Sequence, residues 1–296
     1  MNEKNMTALV SAFARCYHFK NNKKWIYKDE LSSKILSEEE YNLISSSMAQ
    51  GIQFFNKDFK GTSEEALRWI VNKNLSPSVL GRSSFCERML ESSIRLGIEQ
   101  YVIYAAGYDT SAYKKKYDKL NIFEIDREEM IVDKIRRLDK INIDNSYINY
   151  LKCDFTSSNW INNIINSSYN QNKRSFNSLL GISYYLTKEE FSTMIKQISS
   201  LMYEGSRIVF DYPTYVRGEE ARINEELAKG AKEEMKAKYS YHEMEKLLQE
   251  HNILIYEHLN DQEMTDIYFK DYNLSNPNDV IIAPRGVCYL LGVKKK

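Results

Sequence analysis

The sequence predicts an α/β protein: a doubly wound, mostly parallel sheet of seven strands whose last strand runs antiparallel, preceded by a helical N-terminal region. Three observations carry this. Up to Gly97 apolar residues recur at helical spacing with no strand pattern, and after Gly97 short apolar runs alternate with amphipathic helices. Before the final apolar run the chain holds Asn276-Pro277 and no clear amphipathic helix, so a crossover is missing and an antiparallel closing strand is favoured.

In chain order, Met6, Leu9, Val10, Phe13 and Tyr17 mark a first helix, which the polar Asn21 to Lys24 ends. Helices follow over Glu38 to Phe55 and Glu64 to Asn72, the second stopped by Ser76-Pro77, because a residue before proline is pushed out of the helical region. Phe85, Met89, Leu90 and Ile94 form the stripe of a helix ending at Gly97. Strands are expected at Tyr101 to Ala106, Asn121 to Asp126, Tyr147 to Cys153, Ser178 to Ser183, Ile208 to Tyr212, Ile253 to His258 and Val287 to Val293. Between them, Met130, Ile131, Lys134, Ile135 and Leu138 share one helix face. Thr187 with Glu190 and Ser240 with Glu243 are capping boxes that start two further helices. Residues 217–238 read as a highly charged helix, either a solvated surface element or a lid.

Composition bounds the function classes. The chain has 296 residues, 43% hydrophobic, with 41 basic against 41 acidic side chains, so no cationic excess points to nucleic acid. Apolar runs are too short for a membrane span and the N-terminus is polar, which predicts a cytoplasmic protein. Cys16, Cys86, Cys153 and Cys288 form no C-x-x-C pair, and the four histidines form no H-E-x-x-H, so buried thiols and no metal are expected.

Ligands of a doubly wound sheet sit beyond the carboxyl ends of the strands. The turn after the first strand reads Ala105-Ala106-Gly107-Tyr108-Asp109-Thr110, with one of the three glycines of G-x-G-x-x-G, which disfavours a nicotinamide or flavin dinucleotide and the NAD(P)-dependent oxidoreductase that would use one. Nineteen residues on, Asp126 ends the second strand, with Glu124 on the same face by alternation. Either an acid for the ribose hydroxyls of an adenosyl group or an exposed strand-end carboxylate fits that place. Asp154-Phe155 after the third strand suits an adenine amine and ring, and equally a turn. Tyr184, Tyr185 and Tyr212 end the fourth and fifth strands, as substrate contacts or core-edge aromatics.

The ordered run of Arg82-x-x-Phe85, Gln100 to Lys114 (QYVIYAAGYDTSAYK), Phe123 to Asp126 (FEID) followed by Lys134, and Cys153 to Phe155 resembles the leucine carboxyl methyltransferase-like family of S-adenosylmethionine-dependent methyltransferases, including its bacterial O-methyltransferases. The N-terminal TALVSAFARCYHF is similar as well, and the resemblance spans about residues 7–293. It implies a Rossmann-like core over residues 99–296, with a lid insertion near 213–240, and a helical cap over residues 1–98. It implies S-adenosylmethionine as cofactor, Arg82 on the methionine carboxylate, Ala105 and Gly107 at methionine and ribose, Asp126 at the ribose hydroxyls, and Asp154 with Phe155 at adenine. Asp109 and Thr110 would cap the next helix. Ala105 replaces the family's first glycine, and Leu180 replaces its usual glutamate, so one contact is lost there and a non-catalytic binding module is an alternative. The expected reaction is methyl transfer to an oxygen of a small molecule, a carboxylate first and a phenol or other hydroxyl of natural-product biosynthesis second, without nucleic-acid or membrane partners. A carboxylate is ionised at neutral pH and needs no base, and no histidine falls at the end of a parallel strand. Asp211 lies near the right place for a base, in an unresolved direction.

Overall fold

The computed structural model describes residues 6–114, 120–157, 159–215 and 236–296. Seven strands form one sheet: β1 Gln100–Tyr104, β2 Asn121–Asp126, β3 Ile148–Lys152, β4 Ser175–Leu179, β5 Arg207–Pro213, β6 Ile253–Leu259 and β7 Val287–Lys294, in the order β3-β2-β1-β4-β5-β7-β6. Strands β1 to β5 pair in parallel, while β7 is antiparallel to both neighbours, β5 and β6. This is the doubly wound, Rossmann-like sheet with an antiparallel last strand that the sequence predicts. Its strand order reverses between β1 and β4, which makes the carboxyl ends of these strands the ligand crevice of such sheets.

Strand β4 begins and ends earlier than its apolar run suggests. Ser175, Asn177 and Ser178 are interior, and each finds a partner there: Asn177 Nδ2 donates to the Arg207 carbonyl (3.0 Å) and the Ser178 hydroxyl to the Tyr101 hydroxyl (3.3 Å). Satisfied polar groups can be buried at little cost, so polarity did not exclude a central strand. Leu180 to Ile182 therefore form the turn after β4, with Gly181 at φ 70°, and Ser183 opens a short 3-10 helix, Ser183–Tyr185.

Two helical forecasts need correction for a shared reason. The helix Ser63–Ile70 does not stop at Ser76-Pro77; a wide π-helical turn, Val71–Leu75, leads into the helix Ser76–Arg95. Pro77 lies in that helix's first turn, where its missing N–H costs little. Likewise the link between β6 and β7 is helical over Asp261–Met264, Thr265–Phe269 and Lys270–Ser275, and the middle segment is again a π turn. A π turn adds a residue and shifts the apolar face, so Met264, Phe269 and Tyr272 are buried at a spacing that no 3.6-residue pattern matches. The antiparallel closing strand holds all the same. The helix expected over Glu38 to Phe55 is divided at Gly51 into Glu38–Gln50 and Ile52–Phe55.

The chain forms two compact units. One comprises Met1–Ser84, Tyr108–Lys114 and Asp261–Pro284; the other comprises Phe85–Gly107, Lys115–Asn260 and Arg285–Lys296. The division is thus not a single cut at residue 98. In the first unit the first and last stretches are joined by side chains: Arg68 Nε and Asn72 Nδ2 both donate to Asp279 Oδ2 (2.7 and 2.9 Å), and the Tyr272 hydroxyl donates to Asn22 Oδ1 (3.0 Å). In the second unit the sheet is covered on both faces, since Tyr104 packs on Trp160 while its neighbour-but-two Tyr101 meets Cys86 of the helix Ser76–Arg95. The helix expected over 217–238, and with it most of the lid near 213–240, lies outside the described residues. The stems on either side, Thr214 and Tyr239, form a parallel bridge. Among the described residues no helix is long and apolar enough to cross a membrane.

Candidate functional site

The turn that leaves β1 is held in an unusual backbone conformation. Ala105 has φ 50° and Gly107 φ 47°, and the Ala106 N–H donates to the Ile125 carbonyl (3.1 Å). Only glycine adopts positive φ without steric cost, about 1 to 2 kcal/mol for an ordinary residue. Ala105 therefore stores strain in the motif. Ala105→Gly is expected to raise stability by about 0.5 to 1 kcal/mol after the larger unfolded-state entropy of glycine is set against the relief; urea unfolding measures it, and a loss of stability would show the strain to be fully compensated.

What holds this turn is Asp126, the last residue of β2. The residue is 8% exposed; Oδ2 accepts the Gly107 N–H and Oδ1 the Arg127 N–H, both at 2.7 Å, and its carbonyl accepts the Cys153 N–H (2.8 Å). One residue thus links the ends of β1, β2 and β3. Burial pushes its pKa up, against the hydrogen bonds from Gly107 and Arg127 and the charges of Arg127 and Lys134. A carboxylate offers about four lone-pair sites, and two are occupied, so the remaining pair suits a vicinal diol. The donor and acceptor set at this strand end fits an adenosyl group: an acceptor for the diol, and a backbone turn with no bulky side chain.

Glu124 does not share that position. Two residues back along β2, its side chain is fully buried and faces Lys134 Nζ at 2.7 Å, from the helix Glu128–Lys140. Alternation is right about the face but not about the depth, and the ion pair rather than a ligand occupies the carboxylate. Asp154 lies in an exposed turn whose Oδ1 accepts the Thr156 N–H (2.9 Å) and hydroxyl (2.7 Å), bonds that hold its pKa below the usual range. Phe155 is half-buried, its ring edge-on to Trp160 at 5.2 Å.

The turn after β4 is built around Asp211. This fully buried carboxylate accepts the Gly181 N–H at Oδ1 (2.7 Å) and the Tyr184 hydroxyl at Oδ2 (2.8 Å), and its carbonyl accepts the Ser183 hydroxyl (2.7 Å). Asp211 therefore points toward the turn and is structural. Leu180, beside Gly181, is half-buried. Tyr184 is buried and engaged with Asp211, and Tyr212 is fully buried with its hydroxyl 2.8 Å from His258 Nε2. Both are interior aromatics rather than surface contacts; Tyr185 is half-buried.

Arg82 belongs to the first unit, half-buried on the helix Ser76–Arg95, with Nη2 donating to the Ser11 hydroxyl (3.2 Å). The first unit also holds the second half of the glycine motif. There Asp109 Oδ1 accepts the Ser111 N–H (2.6 Å), capping the short helix Ser111–Lys114 as expected, whereas the Thr110 hydroxyl turns to Asp29 (2.6 Å). Arg15 and Asp29, a buried pair 2.8 Å apart, escape the sequence reading. One signal was available: Ala12 to Phe19 carries a single charge-bearing aliphatic side chain, Arg15, in a helix buried nearly all round.

The family model described as leucine carboxyl methyltransferase matches residues 8–199. A protein assigned as the S-adenosyl-L-methionine-dependent methyltransferase YktD of Bacillus subtilis is 34% identical over 307 residues, covering 99% of each chain. Among solved structures, a methyltransferase-assigned protein from Thermobifida fusca superposes with a TM-score of 0.58 at 11% identity, over 84% of this chain and 94% of that one. Magnesium protoporphyrin IX methyltransferase of Synechocystis, with S-adenosylhomocysteine bound, superposes with a TM-score of 0.50 at 9% identity, over 90% and 100%. These two share the fold.

Proposed function

Because the chain belongs to the leucine carboxyl methyltransferase family and is an S-adenosylmethionine-dependent methyltransferase, we propose that it methylates an oxygen of a small molecule, and that this oxygen belongs to a carboxylate. The observation that carries the choice of acceptor is the state of the possible bases. Asp211 has both carboxylate oxygens engaged in holding the turn after β4. Each histidine has a structural partner: His18 accepts the Ile26 N–H and burial pushes its pKa down to about 4, His242 faces Glu245, His251 meets Ser192, and His258 meets Tyr212. A phenol, with pKa near 10, would need one of them as a base; a carboxylate, with pKa near 4, is already the nucleophile at neutral pH.

The cofactor, when bound, supplies a sulfonium methyl that is electrophilic without further activation. What remains for the protein is to bind and position. Asp126 takes the ribose hydroxyls, Ala105 to Gly107 lets backbone come close to the cofactor, Asp154 and Phe155 flank the adenine, and Arg82 forks onto the methionine carboxylate, a geometry that a guanidinium supports and an ammonium does not. Leu180 gives an apolar side chain where the family resemblance implies an acid. Orientation of this kind accounts for about 7 to 11 kcal/mol of a bimolecular barrier.

The acceptor class is tested by incubating the protein with methyl-labelled S-adenosylmethionine and a small-molecule extract, then treating the labelled product with mild alkali. Release of labelled methanol, and a rate nearly flat between about pH 6 and 8, are expected for a carboxylate. An alkali-stable product would reject the carboxylate and leave an ether or amine.

A further inference from the structure

The buried pair Arg15 and Asp29 is larger in its connections than a salt bridge needs to be. Arg15 lies on the helix Met6–Asn21 and Asp29 just before the helix Ser32–Ile35; their side chains are 8% and 0% exposed. Two buried charges are tolerated only when further hydrogen bonds complete them. Two of those bonds go to one short segment. Arg15 Nη2 donates to the Tyr108 carbonyl and the Thr110 hydroxyl to Asp29 Oδ2, both at 2.6 Å. The rest are local: Arg15 Nη1 to the Ser11 carbonyl (3.2 Å) and the Ser32 N–H to Asp29 Oδ1 (3.1 Å). Tyr108 and Thr110 are themselves buried.

That segment follows Gly107 directly in the chain, and Gly107 is the residue whose N–H Asp126 holds. The backbone is therefore fixed on both sides of one peptide, by Asp126 before it and by the Arg15–Asp29 pair after it. Such fixing matters here because Ala105 and Gly107 both sit at positive φ, a conformation that persists only when its surroundings determine it. Arginine is well suited to this position, since one guanidinium donates through Nε to a carboxylate and through Nη2 to a carbonyl, which a lysine ammonium cannot reproduce in a fixed geometry.

We propose that Arg15 and Asp29 are positioning residues for S-adenosylmethionine: acting through Tyr108 and Thr110, they preorganise the turn against which the cofactor binds. The proposal rests on the reading that the cofactor lies at Ala105 to Gly107. Without the pair, the turn samples other conformations and binding must select one, which lowers affinity without removing any direct contact.

The test is calorimetric titration of S-adenosylhomocysteine into the whole chain, as wild type, Thr110→Val, Thr110→Ser, Arg15→Lys and Asp126→Ala, with melting temperature measured alongside. Thr110→Val keeps the shape and leaves the ion pair in place, so it folds; it is expected to bind about five- to tenfold more weakly, Thr110→Ser to recover to within about twofold, and Arg15→Lys to lose about tenfold or more. If Thr110→Val and Arg15→Lys bind as wild type does, even with lower melting temperatures, while Asp126→Ala is weakened, the pair only stabilises the fold and the proposal is overturned. If Asp126→Ala also binds as wild type, the cofactor does not lie at this turn and both readings fall. Should Arg15→Lys not fold, the two Thr110 variants decide.

Discussion

Asp126→Ala is expected to weaken S-adenosylhomocysteine binding by at least about a hundredfold. Two charge-assisted hydrogen bonds to the ribose hydroxyls are lost, each worth about 1.5 to 3 kcal/mol, and tenfold in affinity corresponds to about 1.4 kcal/mol. The local geometry adds to this, because the Gly107 and Arg127 N–H groups lose their acceptor at the same time. Calorimetry on the folded variant measures the effect, and unchanged affinity would place the ribose elsewhere. The same carboxylate gives a pH signature. Burial raises its pKa above the ordinary 3.8, so the folded protein gives up this proton less readily than the unfolded chain does. In the ligand-free protein this contributes stability that is complete below 3.8 and is lost as pH rises through the raised folded value. Affinity for the diol moves the other way: it needs the charged form, and falls as pH drops through that value, starting from a higher pH than an ordinary aspartate would show.

Lys134→Met is expected to destabilise the protein by about 3 to 5 kcal/mol, the usual cost of removing one member of a sealed ion pair. Lys134 and Glu124 are both fully buried, 2.7 Å apart, so the substitution takes from Glu124 the cation it faces where water cannot replace it. Replacing both, as Glu124→Leu with Lys134→Met, is expected to recover most of the loss, since apolar groups of similar volume often match or exceed a buried pair. Urea unfolding of the two single variants and the double variant gives the coupling energy. Additive losses would mean that the two side chains do not depend on each other.

The parts of this protein legible in its sequence are those whose physics is local. The NIFEID strand is a short apolar run whose limits the structure matches, and Thr187 with Glu190 and Ser240 with Glu243 form the capping boxes their spacing implies. Asp126 was legible for a related reason: its place at a strand end follows from the strand. Legibility fails where a residue's environment comes from far along the chain. Asn177 is polar and central because Arg207 offers a carbonyl 30 residues on, and Arg15 looks like a stray charge until Tyr108, 93 residues on, takes its proton donor. Asp211 shows the same limit in one bond, since alternation left open a direction that Gly181 and Tyr184 determine. The π turns fail differently, because an inserted residue breaks the very periodicity by which helices are read.

The way the chain returns at Asp261–Pro284 to complete its first unit bears on how the molecule is made. During synthesis, Arg68 and Asn72 emerge about two hundred residues before Asp279, the carboxylate they share. Contacts of such long sequence separation carry a loop-closure cost before they return any stabilisation, and they slow folding. The early helices therefore wait, partly unsealed, until Asp279 has left the ribosome, an interval in which exposed apolar surface invites association with other chains. Recombination faces the same constraint. A crossover at residue 98 would carry off Arg68 and Asn72 and leave Asp279 behind, so it would break both of these bonds unless Asp261–Pro284 came along.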